Sequence, residues 1–177
     1  MMVSFRLCGN LALTGCVANS LSVEKRKELV EAAVLGESHR TAKKSFKGIY
    51  VLIIQVDKDI NVNVGALGKT VLTKGLYAYV GSAQTNMEQR IKRHLRNEKR
   101  KFWHIDYLLD NGAARIVKVF FKEADKAEEC KTANAIGESS EPIVGFGCSD
   151  CNCKSHLFHI ENYRFIQETM QVFPKET

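Results

Sequence analysis

The sequence predicts an α+β fold: a small central, mostly antiparallel β-sheet flanked by helices, with an N-terminal helical arm. Three observations carry this. A continuous β-branched run, GIYVLIIQV (Gly48–Val56), reads as a buried strand. Shorter apolar or alternating runs follow it, separated by turn residues. Helical periodicity then appears between strands, in Asn86–Lys101, Trp103–Asp110 and Asp125–Ile136. The 177 residues suit one globular domain with an arm or tail, and no apolar run approaches the ~20 residues that span a bilayer.

The chain divides into an arm (1–44), a central domain (45–161, with a Cys/His-rich loop at 145–160) and a tail (162–177). In the arm, Ser22–Leu35 reads as a helix capped by Ser22, with Leu29, Val30, Ala33 and Val34 on its apolar face. Leu13-Thr14-Gly15-Cys16 matches a lipoprotein cleavage box, but Arg6, Cys8, Gly9 and Asn10 before it make a poor signal-peptide core. Asp57-Lys58-Asp59 reads as a turn. The alternating Ile60–Val64 is expected to pair back on Gly48–Val56 as a hairpin. Gly65, Gly68 and Gly75 punctuate a loop in which Thr70–Thr73 allows one more short strand. In Leu76–Gly81 the period of two puts Tyr77 and Tyr79 on one face and Leu76, Ala78 and Val80 on the other.

The basic segment Asn86–Lys101 reads as a helix with Met87, Ile91 and Leu95 in one apolar stripe. Arg90 and His94 run beside that stripe, one turn apart. In the next helix Trp103 and Tyr107 read as core, and Gly112 as its C-cap. Ala114–Phe121 reads as a strand. Asp125 is expected to cap the helix after it, with Glu128 completing a capping box. A short helix is expected after Asn162.

The net charge of +6 is concentrated: Asn86–Lys101 holds seven Lys/Arg against two Glu, hence +5. So dense a one-signed run points to a polyanion, and nucleic-acid phosphate is the usual one. The candidate contacts are Lys92, Arg93, Arg96, Lys99, Arg100 and Lys101. The six cysteines are unevenly spaced, unlike a secreted disulfide framework, and reduced thiols in a cytoplasmic, nucleoid-associated setting are expected.

Gly48-Ile49-Tyr50 opens one strand and Tyr79-Val80-Gly81 closes another. Arg90 and His94 lie on the following helix, and a glutamate-bearing helix comes downstream. This order resembles the GIY-YIG nuclease superfamily. The stretches KGIY, YVGSA, RIKRHLR, WHIDYLL and GFGCSDCNCKSHLF resemble an archaeal branch whose domains also occur fused to endonuclease III-like glycosylases. The resemblance covers about residues 47–160. It implies metal-dependent hydrolysis of a nucleic-acid phosphodiester, with DNA the expected substrate and a DNA-repair protein a possible partner.

The resemblance also implies roles. Tyr50 and Tyr79 would line the site, one near the attacking water, where a phenol can take or relay a proton if cations lower its pKa. Read alone, both are amphipathic strand residues with wet hydroxyls. Arg90 offers an always-charged fork for phosphate. His94 fits two roles equally, phosphate or proton contact and half-buried structural histidine. The acid that holds Mg2+ or Mn2+ would be a glutamate. Glu129 shares a helix face with Ala133 and Ile136, whereas Glu128 suits the helix start, so Glu129 is the expected ligand. Two features depart from the pattern. The motifs stand unusually far apart, which implies an inserted hairpin, and no asparagine follows the glutamate at a suitable distance, although Ser149 or Asp150 could take that place.

Cys148, Cys151, Cys153 and His156 could hold Zn2+, with His159 and His104 as further candidates. Two other readings stay open: a GIY-YIG scaffold that binds nucleic acid without cutting it, and a zinc-stabilised interaction domain. If Met87–Lys101 meets the phosphate backbone, binding falls steeply with salt, and Arg/Lys replacements there flatten the dependence. A binding isotherm unchanged between low and physiological salt refutes that placement.

Overall fold

The computed structural model describes residues 46–96, 98 and 100–174. The N-terminal arm and its helix Ser22–Leu35 lie outside them. Among the described residues no helix is long and apolar enough to cross a membrane.

The structure is α+β, with a six-stranded antiparallel sheet between two helical layers. The strands are β1 (Gly48–Val56), β2 (Ile60–Val64), β3 (Gly68–Leu72), β4 (Gly75–Ala83), β5 (Ala114–Lys122), β6 (Glu141–Pro142), β7 (Leu157–Ile160) and β8 (Gln171–Val172). The helices are α1 (Met87–Leu95), α2 (His104–Leu109), α3 (Ala127–Gly137) and α4 (Arg164–Thr169). The sheet order is β6-β7-β4-β1-β5-β8, while β2 and β3 form a two-stranded sheet of their own.

β1 lies at the centre because it is apolar on both faces. Tyr50, Leu52, Ile54 and Val56 join one core with Tyr77, Tyr79, α1, α2 and the β2–β3 hairpin. Ile49, Val51 and Ile53 join the other with Ala78, Val80, α3 and α4. Full burial of such a side chain contributes about 1.5–3 kcal/mol. The alternation expected for Tyr77 and Tyr79 against Ala78 and Val80 is observed.

Several local expectations change. Ile60–Val64 does not pair back on β1. It pairs with Gly68–Leu72, and β1 pairs with β4 and β5 instead, since both of its edges need apolar partners that a half-polar strand does not supply. The hairpin expected between the two tyrosine motifs is therefore β2–β3. Residues 157–160, read as the end of a loop, form β7 against β4. The helix after Asn86 stops at Leu95, where Arg96 turns extended (ψ 137°). Asn86 caps it by accepting from the Gln89 N–H at 3.0 Å. α2 closes at Asp110, whose N–H donates to the Asp106 carbonyl, and Gly112 has no left-handed φ. Asp125 pairs with Lys47 at 2.6 Å and makes no cap, so α3 starts at Ala127.

Both motif glycines answer to close approaches. A Cβ on Gly48 would run into the Lys122 carbonyl of β5. Gly81 stands opposite Tyr50 in the β1–β4 register, and a Cβ there would lie 2.5 Å from the Tyr50 hydroxyl and ring. Gly81→Ala is therefore expected to destabilise the fold by about 1–3 kcal/mol, the usual cost of overpacking. In a Tyr50→Ala background the same change should cost far less. Urea denaturation of the four proteins of that cycle checks this, and equal costs in both backgrounds would contradict the contact.

Candidate active site

A cleft of about 620 Å³ opens where β1 begins and β4 ends. Tyr50, Tyr79, Arg90 and Glu129 all line it, so the residues named from the sequence come together from β1, β4, α1 and α3. Phe102, Trp103, His104, Lys126, Ser149 and Asp150 line it as well.

Tyr50 is almost fully buried, and its hydroxyl lies 2.7 Å from Nε2 of His94, itself buried. Their positions on β1 and α1 produce the pair, with His94 behind Tyr50 and outside the cleft lining. Tyr79 is backed by Phe146 edge-on and by Gly147, where a Cβ would approach its ring to 3.1 Å. Burial pushes the pKa of both phenols well up, and Glu129 adds to this. Arg90 lowers both without overcoming burial. The expectation that cations lower a tyrosine pKa is thus reversed in the free chain, and both hydroxyls hold their protons.

Arg90 stacks on the Trp103 ring, its guanidinium carbon 4.2 Å from the centroid, and Arg93 packs on the same ring at 4.1 Å. Arg93 makes a bidentate bond to Asp106 (2.9 and 2.8 Å) and donates to the Arg100 carbonyl. The Asp106 side chain is fully buried and also accepts from the Phe102 and Trp103 N–H groups, 3.0 Å each. Burial alone would raise its pKa, but Arg93 and these N–H groups outweigh burial and hold it low.

This changes the basic patch. Arg93, one of the expected contacts, is turned to Asp106. Lys92 pairs with Glu88 at 3.0 Å and Lys101 with Asp110 at 2.6 Å. Arg96 and Arg100 are exposed, and Lys99 lies outside the described residues. The charge count over Asn86–Lys101 includes Glu88, whereas Asp106 and Asp110 lie beyond that run.

Glu129 reaches the cleft from the opposite layer. Its Oε2 accepts from the Ser82 hydroxyl at 2.6 Å, and its Oε1 lies 3.4 Å from His156 Nδ1. Glu128 turns instead to Lys122 and Lys131. The helix-face argument that separated the two glutamates therefore describes their placement. A cleft carboxylate fits a hard cation that takes its remaining ligands from water and phosphate oxygens. Ser149 and Asp150 do stand in the cleft, with Asp150 paired to Lys126 at 2.9 Å.

One cleft residue, Ser82, was missed, and a second, His104, stands in the cleft and not with the zinc ligands expected of it. Ser82 follows Gly81 directly, and only the β4 register shows its reach to Glu129. His104 accepts the Gly147 N–H on Nδ1 at 2.9 Å, and burial lowers its pKa. A neutral imidazole accepting on Nδ1 carries its proton on Nε2, so His104 is a neutral N–H donor.

Beside the cleft, Cys130, Cys151, Cys153 and His156 place one ligand atom each within 4.8 Å of one another, a Cys3His group that could hold a metal ion. The expected fourth member, Cys148, is replaced by Cys130 of α3, a residue remote in sequence. His104 and His159 do not join: His159 stacks on Tyr77.

Because Tyr50 and Tyr79 hold their protons tightly, alkaline ultraviolet titration of the five tyrosines should show a fraction ionising well above the usual ~10. Tyr50→Phe and Tyr79→Phe should each remove part of that fraction. Their folded pKa values lie above the unfolded one, so their contribution to stability is complete below pH ~10 and lost as pH rises further. Uniform titration near 10 would contradict the burial.

The family described as "Domain of unknown function DUF123" matches residues 49–176, which takes in every strand and helix from β1 to β8 apart from Gly48 itself. No curated protein and no solved structure matches the chain. With most of its length matched, including the whole cleft and the Cys3His group, the chain belongs to the DUF123 domain family.

Proposed function

We propose that the protein is a GIY-YIG-type, metal-dependent endonuclease that hydrolyses phosphodiester bonds, with DNA as substrate. One observation carries the reading: Tyr50, Tyr79, Arg90 and Glu129 converge from four elements on a single cleft, with His94 bonded behind Tyr50.

Hydrolysis requires an activated water, a neutralised phosphoryl charge and a stabilised leaving oxygen. Tyr50 is too weak an acid to serve as a phenolate base, but its hydroxyl bridges the cleft and His94. As the water loses a proton to the Tyr50 oxygen, the phenolic proton passes to His94 Nε2, and the buried imidazole ends as the acceptor. Arg90 is steadied by stacking on Trp103 and presents charge to a phosphate oxygen. His104 adds a neutral N–H donor for the same group. Glu129 would hold Mg2+ or Mn2+, which neutralises charge on the phosphate. Phe102, 75% exposed at the rim and edge-on to Trp103, offers an unstacked base an aromatic surface.

The test is cleavage of labelled DNA and RNA structures with Mg2+ or Mn2+, comparing the wild type with Glu129→Ala. Wild-type cutting that falls by about 10²-fold or more in the variant, with binding kept, is the expected result. Binding without cutting in both proteins would instead favour the non-catalytic module, for which the tightly held tyrosine protons are the specific argument.

A further inference from the structure

The four side chains of the Cys3His group come from α3 and from the segment before β7, which the pairs Lys126–Asp150 and Glu129–His156 also bridge. Cys130 lies in the first turns of α3, next to Glu129. Cys151, Cys153 and His156 lie in the segment that leads into β7. All four cysteines among the described residues are free thiols. His156 is 2% exposed, and its two ring nitrogens face different groups. Nε2 is 3.4 Å from Cys151 Sγ, whereas Nδ1 makes no hydrogen bond and lies 3.4 Å from Glu129 Oε1.

We propose that Cys130, Cys151, Cys153 and His156 Nε2 bind one zinc ion, and that His156 Nδ1–H then hydrogen-bonds to Glu129 and fixes its carboxylate at the cleft. Three thiolates and an imidazole are a closed structural zinc set. With zinc–sulfur bonds of ~2.3 Å and a zinc–nitrogen bond of ~2.0 Å, a tetrahedral site puts sulfur and nitrogen about 3.5 Å apart. The observed 3.4 Å between Cys151 and His156 matches that edge. Ligation through Nε2 leaves the proton on Nδ1, on the side of Glu129. A carboxylate at that place is the usual support of a metal-bound histidine.

The zinc ties α3 to the β7 segment. It also orders Glu129 from behind: Ser82 holds one oxygen and the ligated histidine the other. Glu129 is thereby a positioning residue for the zinc ligand as well as part of the cleft wall. This holds whether or not the cleft cuts nucleic acid, because zinc is counted without substrate.

The experiment uses the full chain, purified under reducing conditions and assayed for metal by mass spectrometry. One zinc per chain is expected, lost in Cys130→Ser and in Cys153→Ser and retained in Cys148→Ser. Should the first two variants fail to fold, cobalt exchanged into the wild type must give the intense visible bands of a tetrahedral thiolate site. Glu129→Ala should keep the cobalt spectrum while chelator competition shows zinc affinity reduced about 10–100-fold. A wild-type chain with neither zinc nor a tetrahedral cobalt spectrum overturns the site. So does zinc lost equally in Cys148→Ser, or a disulfide among Cys130, Cys151 and Cys153 in the isolated protein. Unchanged zinc affinity in Glu129→Ala overturns the coupling to the cleft.

Discussion

The ring of Tyr50 fills the space that any side chain at position 81 would need. This one contact fixes much else. It requires glycine opposite tyrosine in the β1–β4 register, which places Tyr79 two residues back on the same face of β4. It leaves the Tyr50 hydroxyl a single deep partner in His94, so α1 must cross the sheet where its last turn meets β1. The Arg90 position, one turn earlier, is then carried to the cleft. The tyrosine of the first motif and the glycine of the second are thus one packing constraint shared between two strands.

A second, electrostatic constraint organises the wall beside it. A buried carboxylate is tolerated only when paired and hydrogen-bonded, and Asp106 receives both from Arg93 and two N–H groups. That pairing pins the start of α2 against α1 and sets the Trp103 ring on which Arg90 rests. Much of the basic run is therefore engaged within the protein, with Arg93 on Asp106, Lys92 on Glu88 and Lys101 on Asp110, while Arg90 rests on its aromatic platform at the cleft.

The readable parts of the sequence were those governed by local period. Gly48–Val56 could only be a doubly buried strand, the tyrosine alternation followed from the pleat, and Ala133 and Ile136 placed Glu129 correctly. What failed depended on pairing at long range. The partner of Ile60–Val64, the strand at 157–160 and the substitution of Cys130 for Cys148 are all decided by contacts between distant residues. The cap assigned to Asp125 failed because Lys47 competes for the same carboxylate. The partners of Arg93 and Lys101 were hidden for a similar reason: Asp106 and Asp110 face the basic segment only after the chain turns back.

The strand order has a consequence for how the chain reaches this state. β1 emerges from synthesis before either neighbour, yet β4 completes one edge only at Ala83 and β5 the other at Lys122, with β7 later still. The β2–β3 hairpin, made of adjacent residues, can close at once. The most apolar segment of the protein must therefore wait, uncovered on at least one edge, while more than half of the sheet is still being made. Non-local pairing of this kind slows folding, and an unpaired apolar strand invites association with other chains. Solubility of a nascent or truncated chain would be governed by β1 long before the cleft exists.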